Sequence, residues 1–375
     1  MEQDEMPTIV FIDDNQEELK PLAESVAKKG MQGCKVDSPE DVDLDLLHSA
    51  DLVIVDYTLD RWIENIGVSN LSQIPPNGVA LAAVLREHYR KPALKHSPPT
   101  GFALITGDPG NLCSTPGERR PHVVARLSNL EWYFEKHADH EQNVKRIVSL
   151  AVAIRKLPPI LSAEMVGLNT LMELLEVPTS DVLFERYSDS VSRCRPPIHH
   201  LSKESGGMVL IRWLLHRILP HTCFLLDQYA LASRLRVSPE SLQSELKTNT
   251  SFSHLIEPYQ YKGLLSDFDG PRWWRGGIEQ VLWEITEGNS TNTASLRSCL
   301  QKLFPSSLNF VDLVRPVVTL NADFQPENNL SNLSDTIALH LDDWPSYAEP
   351  AYMRRDVLKE NPDLEFCVAR EAAWN

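Results

Sequence analysis

The chain lacks most of the signals that would assign it at once. In 375 residues no apolar run reaches the roughly 18–20 residues that a membrane-spanning helix needs, so no such span is expected. Cysteines number six (Cys34, Cys113, Cys194, Cys223, Cys299 and Cys367), scattered and never in a CxxC pair. That pattern excludes a zinc ladder and a dense disulfide framework, and fits reduced thiols of a cytoplasmic protein. The opening Met-Glu-Gln-Asp-Glu has no basic start of a secretion signal, which gives the same expectation of a cytoplasmic location. There is no HExxH, no Walker loop, no GxSxG and no cyclic-dinucleotide signature, so no familiar enzymatic output is visible. His199-His200 and the His216/His221 pair invite a metal reading, but no HExxH, HD pair or Cys/His ladder at ligand spacing accompanies them.

Basic charge is also scarce. The chain has 36 Lys and Arg against 52 Asp and Glu, a net charge of −16. Residues 1–140 hold 13 basic against 23 acidic residues, residues 141–300 hold 17 of each, and residues 301–375 hold 6 against 12. An acidic surface repels nucleic acid at long range, so only the neutral middle could offer a basic face.

What is present is an alternation of short apolar runs and amphipathic segments through residue 157. Thr8–Ile12, Leu52–Val55 and Phe102–Ile105 are β-branched or aromatic runs, and each stops at a polar residue: Asp13-Asp14, Asp56 and Thr106. A weak strand is expected near 33–37, and a further strand over 121–126. Helices are expected over 17–29, from Ser38-Pro39, over 77–89 and over 140–156. The pattern implies an α/β fold with a parallel sheet covered by helices on both faces, with ligands at the carboxyl ends of the strands. Acids gathered there can hold a divalent cation and present one oxygen to a phosphoryl donor.

Pro158-Pro159 marks a boundary, and the chain beyond it is mainly helical. Helices are expected near 162–176, 180–190, 206–219, 226–236, 238–247, 277–287 and 293–304. Residues 305–375, with six prolines, are the least regular and are expected to wrap over the helical part or form a small subdomain. The expected division is therefore 1–157, 158–304 and 305–375.

The run Phe11-Ile12-Asp13-Asp14-Asn15, the pair Val55-Asp56 and the stretch Leu104-Ile105-Thr106-Gly107 together resemble the receiver domain of bacterial two-component response regulators. The likeness covers about 150 residues. It implies an α/β doubly wound, five-stranded parallel sheet (a flavodoxin-like receiver) in which Asp56 is the phospho-acceptor, followed here by a mainly α-helical domain. Asp13, Asp14, Asp56 and the carbonyl of Thr58 would hold Mg²⁺, and Thr106 would hydrogen-bond the phosphoryl group. It also implies a histidine kinase or phosphotransfer protein as the donor.

Four features depart from that family. Receivers end the fifth strand in a Lys, whereas the Val123-Val124-Ala125 run ends in Arg126, which would take the cation's role. The aromatic expected three residues earlier is Val123. The loop over 57–76, which carries Arg61, Trp62 and Ile63, is about 14 residues longer than usual before Pro76-Asn77-Gly78. Residues 107–120 contain Pro109, Gly110, Pro116 and Gly117, so a regular fourth helix is poorly supported.

In the helical part, residues 231–247 carry a helix-turn-helix pattern, with Ser238 as N-cap and Pro239 at the first helical position. A DNA-binding reading would use Arg234, Arg236 and Lys247 and expose Glu240, Ser241, Gln243 and Ser244. With so little basic charge, packing at a helical corner is the preferred reading. Arg272-Trp273-Trp274-Arg275 is the densest aromatic and cationic cluster, suited to a partner or nucleic acid, or to anchoring a loop on the core with Arg272 paired to Asp267 or Asp269. Similar Trp–Arg sequences occur in bacterial proteins that join a receiver to a helical partner domain, some linked to phage defence.

The expected function is a signalling switch: an atypical response regulator whose helical part acts on a protein partner, in a phage-defence or stress setting. The alternatives are a receiver-like adaptor that takes no phosphate, and a DNA-binding regulator.

Overall fold

The computed structural model describes residues 6–62, 75–89, 99–113, 119–157, 167–177, 181–200, 207–248, 250–304 and 308–369. From the N-terminus, β1 (Thr8–Ile12), α1 (Gln16–Ala27), β2 (Gln32–Asp37), α2 (Leu44–His48), β3 (Leu52–Asp56), α3 (Gly78–Tyr89), β4 (Gly101–Thr106), α4 (Arg120–Leu127), β5 (Trp132–Glu135) and α5 (His140–Arg155) alternate. The strands form one sheet in the order β2-β1-β3-β4-β5, every neighbouring pair parallel.

The three central strands are buried along their whole length, because helices cover both sheet faces. On one face Val10, Ile12, Val53, Val55, Phe102 and Leu104 pack against Leu47 of α2, Leu81 and Ala82 of α3, and Val124 and Ala125 of α4. On the other lie α1, which buries Leu19, Leu22, Ala23 and Val26, and α5, which buries Val144, Ile147, Leu150 and Ile154. Truncating a core aromatic such as Phe102 to Ala would cost about 3–5 kcal/mol. The order reverses between β1 and β3, and that reversal opens a crevice at their carboxyl ends.

Two early expectations need correction. Residues 121–126 are not a strand: they lie in α4, with Pro121 in its first turn. The fifth strand is the aromatic run Trp132-Tyr133-Phe134-Glu135, paired to β4 from Ala103↔Trp132 to Thr106↔Glu135. Three successive aromatics suit an edge strand better than Val123-Val124-Ala125, which buries only Val124 and Ala125 against the sheet. The short helix expected at Ser38-Pro39 begins instead at Leu44, where Asp43 caps the backbone N–H groups of Asp45 and Leu46. Between β4 and α4 the described residues include a 3₁₀ turn, Pro109–Asn111, and residues 114–118 lie outside the described residues.

The rest of the chain runs through α6 (Leu168–Leu174), α7 (Asp181–Arg193), α8 (Met208–Trp213), β6 (Leu225–Leu226), α9 (Gln228–Leu235), α10 (Pro239–Thr248), α11 (Thr250–Ile256), β7 (Trp273–Trp274), α12 (Arg275–Ile285), α13 (Thr293–Leu303), β8 (Pro316–Val317), β9 (Ser331–Asn332), β10 (Thr336–Leu339) and β11 (Ala351–Arg354). The helix expected over 206–219 is α8 followed by a π-helical turn at Leu214–Ile218. No candidate membrane-spanning helix is found among the described residues.

The chain forms two compact units. The first comprises residues 1–174 with 197–216 and 264–269; the second comprises 175–196, 217–263 and 270–375. Pro158 and Pro159 lie outside the described residues. Within the first unit, Arg212 of α8 bonds the Glu131 carboxylate through Nε (2.9 Å) and Nη2 (2.6 Å), and Glu131 also accepts the Phe102 N–H. The second unit has a helical core built on Leu231, Leu235, Leu242, Phe252, Trp273 and Leu300. Residues 308–369 belong to it, and contribute the antiparallel pair β10–β11 with a small apolar cluster of Leu320, Leu339, Met353 and Cys367.

Candidate functional site

Asp13 and Asp14 follow β1 directly, Asp56 ends β3 and Thr106 ends β4, so the sheet brings all four to one edge. One carboxylate oxygen from each of Asp13, Asp14 and Asp56 lies within 4.8 Å of the others. Asp13 and Asp56 are buried, at 0% and 3% exposure, and Asp14 is half-buried. Asp13 accepts the Asn15 N–H through Oδ1 at 2.7 Å. The Thr106 hydroxyl accepts the Asp108 N–H at 3.2 Å, which leaves its own proton to donate. Thr58 is exposed on the loop just past Asp56.

The cation of the site is Lys136, not Arg126. Lys136 follows β5, and its ammonium lies 3.1 Å from Asp13 Oδ2, 3.2 Å from Asp56 Oδ2 and 3.0 Å from Glu18 Oε2. Arg126 lies in the last turn of α4. Moving the fifth strand to 132–135 also moves the aromatic three residues before the cation from Val123 to Tyr133, which is buried and whose hydroxyl has no hydrogen-bond partner among the described residues. The sequence signal was there: an aromatic run ending in Glu-Lys, shortly before the helix cap Asp139. Glu18 was missed because it reads as an ordinary first-turn acid of α1.

Burial sets the electrostatics. It pushes Asp56 up to about 7, with the Asp13 charge adding and Lys136 opposing. Asp13 is raised as well, by burial first, against the Asn15 N–H and Lys136. Burial works against the charge of Lys136, but Asp56, Asp13 and Glu18 together outweigh it and raise its pKa. One ammonium therefore serves more carboxylates than it can neutralise.

A divalent metal fits this donor set. Hard Mg²⁺ takes oxygen ligands at about 2.1 Å, which puts opposite ligands about 4.2 Å apart, close to the spread of the three aspartates. Asp56 Oδ1 is buried without a hydrogen-bond partner among the described residues, so it is an oxygen left over for a cation or an incoming group.

Residues 60–62, expected within a long loop, are instead helical, and they reach this edge. Trp62 N–H donates to Asp14 Oδ2 at 3.0 Å, and the exposed Arg61 donates to Asn15 Oδ1 at 2.9 Å. Ile63 and the residues that follow it through 74 lie outside the described residues. Gly78 closes the loop against the sheet: a Cβ there would stand 1.9 Å from the Asp56 carbonyl oxygen, so a larger residue would displace the strand end that carries Asp56.

The candidates in the second unit are placed differently. Residues 228–248 do form two helices joined at Val237-Ser238, and Ser238 Oγ caps the Ser241 N–H at 3.2 Å. Arg234, however, is paired with Glu349, and Arg236 donates to the carbonyls of Leu313 and Val314. Ser241 is buried and receives the Asn309 N–H, so it does not lie on an exposed face; Glu240, Gln243, Ser244 and Lys247 do. Trp273 and Trp274 are buried at 3% and 0% exposure in β7, paired with β6. Arg272 is buried and donates to the carbonyls of Gly270, Pro271 and Leu219, while Arg275 pairs with Glu279 and Glu349. Asp269 meets Arg146 at 2.8 Å. His216 meets His122, and His221 packs on Trp344. The structure thus gathers the aspartates and Thr106, and of the second-unit candidates it engages Arg234, Arg236, Arg272, Trp273, Trp274 and Arg275 in internal contacts and leaves Lys247 exposed.

No family model and no curated protein matches the chain. Among solved structures, a fusion carrying the yeast Spc42 trimeric coiled coil aligns at 15% identity and a TM-score of 0.25, over 50% of this chain and 95% of that one. So low a score carries no argument.

Proposed function

We propose that the first unit is an atypical receiver of a two-component system, in which Asp56 takes a phosphoryl group from a histidine kinase or phosphotransfer protein. The observation that carries this reading is the grouping of Asp13, Asp14, Asp56 and Lys136 at one sheet edge, with one oxygen of the buried Asp56 unpartnered. An oxygen of Asp56 forms the new bond to phosphorus while the donor's own bond to phosphorus breaks, and the donor leaves with that electron pair. Asp13, Asp14 and Asp56, with the Thr58 carbonyl, would hold Mg²⁺, which when bound offsets charge between the anionic donor and acceptor. Lys136 offers a compact ammonium to the phosphoryl oxygens, and Thr106 offers its hydroxyl proton. The new dianion then competes with Glu18 and Asp13 for Lys136, and this redistribution is the switch. Its output would be the action of the second unit on a protein partner, in a signalling setting such as stress or phage defence.

Incubation with Mg²⁺ and acetyl phosphate should add the mass of one phosphoryl group, and beryllofluoride should raise the melting temperature. Asp56→Ala should lose both responses. A wild type that responds to neither would favour the adaptor reading, which has its own support: Lys136 already ties Asp13, Asp56 and Glu18 together, as a purely structural ion cluster would. The internal engagement of Arg234 and Arg236 gives the DNA-binding reading little support.

A further inference from the structure

A hydrogen-bonded chain runs from the helical residues 60–62, just past β3, to the lysine of the acid pocket. Arg61 Nη1 donates to Asn15 Oδ1 (2.9 Å), Asn15 Nδ2 donates to Glu18 Oε2 (3.4 Å), and Glu18 Oε2 takes Lys136 (3.0 Å), which reaches Asp13 and Asp56. The chain rises from a lysine 7% exposed, through a glutamate 41% exposed, to an arginine at the surface. Two backbone contacts hold its ends: Trp62 N–H on Asp14, and Asn15 N–H on Asp13. Arg61 is thus tied to the same turn that supplies Asp13 and Asp14.

Charge gives this placement a consequence. Asp13, Asp14, Asp56 and Glu18 face one ammonium, so the site carries three negative charges when all are ionised, and one with a divalent cation bound. A donor must bring a phosphoryl dianion to that negative site. The unpartnered Oδ1 of Asp56, on a residue 3% exposed, marks where the dianion has to arrive. Arg61 supplies the missing positive charge, and its forked guanidinium suits phosphoryl oxygens. Its bond to the neutral Asn15 is one it can give up for an anion.

We infer that Arg61 is a donor-binding residue, which captures the phosphoryl dianion of the incoming donor at the rim of the acid pocket and hands it down to Asp56. This rests on the phospho-acceptor reading above. In the transfer the Asp56 oxygen bonds to phosphorus as the bond from phosphorus to the acyl oxygen of acetyl phosphate breaks, and acetate departs with that pair.

The test uses the full chain, with acetyl phosphate and phosphoramidate as donors, Mg²⁺ present, and mass-detected phosphorylation against donor concentration. Arg61→Ala should lower the rate at low donor roughly tenfold, as expected for one lost charge-assisted contact, by raising the half-saturating concentration while sparing the limiting rate. Both donors should show the loss, because both present a phosphoryl anion, and Arg61→Lys should recover part of it. Mn²⁺ affinity followed by electron paramagnetic resonance should stay at the wild-type value. An unchanged donor dependence, a fall in limiting rate alone, or a loss of Mn²⁺ binding would each overturn the inference. A wild type that binds Mn²⁺ yet takes phosphate from neither donor would instead overturn the phospho-acceptor reading, and this inference with it.

Discussion

In the first unit, Asp13, Asp56 and Glu18 share one ammonium, that of Lys136, and Asp14 lies beside them; in the second, Glu279 and Glu349 are shared among Arg186, Arg234 and Arg275. Both clusters join charges from distant parts of the chain. They differ in balance and in depth. The first has more acid than base, has side chains 0–7% exposed apart from Glu18 and Asp14, and leaves the buried Asp56 Oδ1 without a hydrogen-bond partner among the described residues. In the second every carboxylate meets at least two guanidiniums, and the side chains are 30–42% exposed. Buried imbalance is tolerated where a ligand corrects it; near-balanced pairs at the surface hold segments together at little cost.

The comparison is broken most directly by removing one cation from each side. Lys136→Met should destabilise the protein by about 3–5 kcal/mol in urea unfolding without Mg²⁺, because Asp13 and Asp56 stay buried without their cation. Arg275→Met should cost about 1 kcal/mol or less, as water screens Glu279 and Glu349. Equal losses would show that the two clusters do the same job.

A second difference concerns pH. Burial beside His122 pushes His216 of the first unit down to about 3. The unfolded chain binds its proton near 6.5 and the folded chain does not, so stability is complete above that value. It should fall by about 1.4 kcal/mol per pH unit as pH drops from about 6.5 toward 3. His216→Gln should flatten that slope in urea titrations at several pH values. Asp56 has the opposite sign. Its raised pKa means that metal-free stability declines as pH rises from about 4 to about 7. Asp56→Asn should therefore raise the melting temperature of the metal-free protein at pH 7.5, while Mg²⁺ raises that of the wild type more than that of the variant.

The smallest effect is expected in the helix pair of the second unit. Replacing exposed Lys247 with Gln should change stability by no more than about 0.5 kcal/mol. DNA retention at low salt should not change either, since Arg234 and Arg236 are turned to Glu349 and to backbone carbonyls. Retention lost on Arg234→Gln without loss of stability would reverse the contrast between the units.

Where local pattern and tertiary need agree, the chain could be read directly. The runs at 8–12, 52–55 and 102–105 are apolar throughout because central parallel strands are covered on both faces, and their polar stops mark the carboxyl edge. Asp13, Asp14, Asp56 and Thr106 were legible for that reason. The fifth strand was not, because Val123-Val124-Ala125 imitates a strand on one face of α4, while the true edge strand announces itself only by aromatics. Mistaking the strand carried the cation with it, from Lys136 to Arg126. The buried state of Trp273 and Trp274 and the engagement of Arg234 were equally out of reach, since partners such as Leu225 and Glu349 lie far away in sequence.

The sequence by itself determined the alternating α/β pattern, the acids at the strand ends and the helical character of the chain beyond residue 157, because periodicity and capping are local properties. Only the tertiary structure decided which cation meets those acids, that Glu18 and Arg61 border them, and which arginines are already taken. Those choices depend on which strand ends and turns come within hydrogen-bonding distance, and a linear sequence does not record that distance.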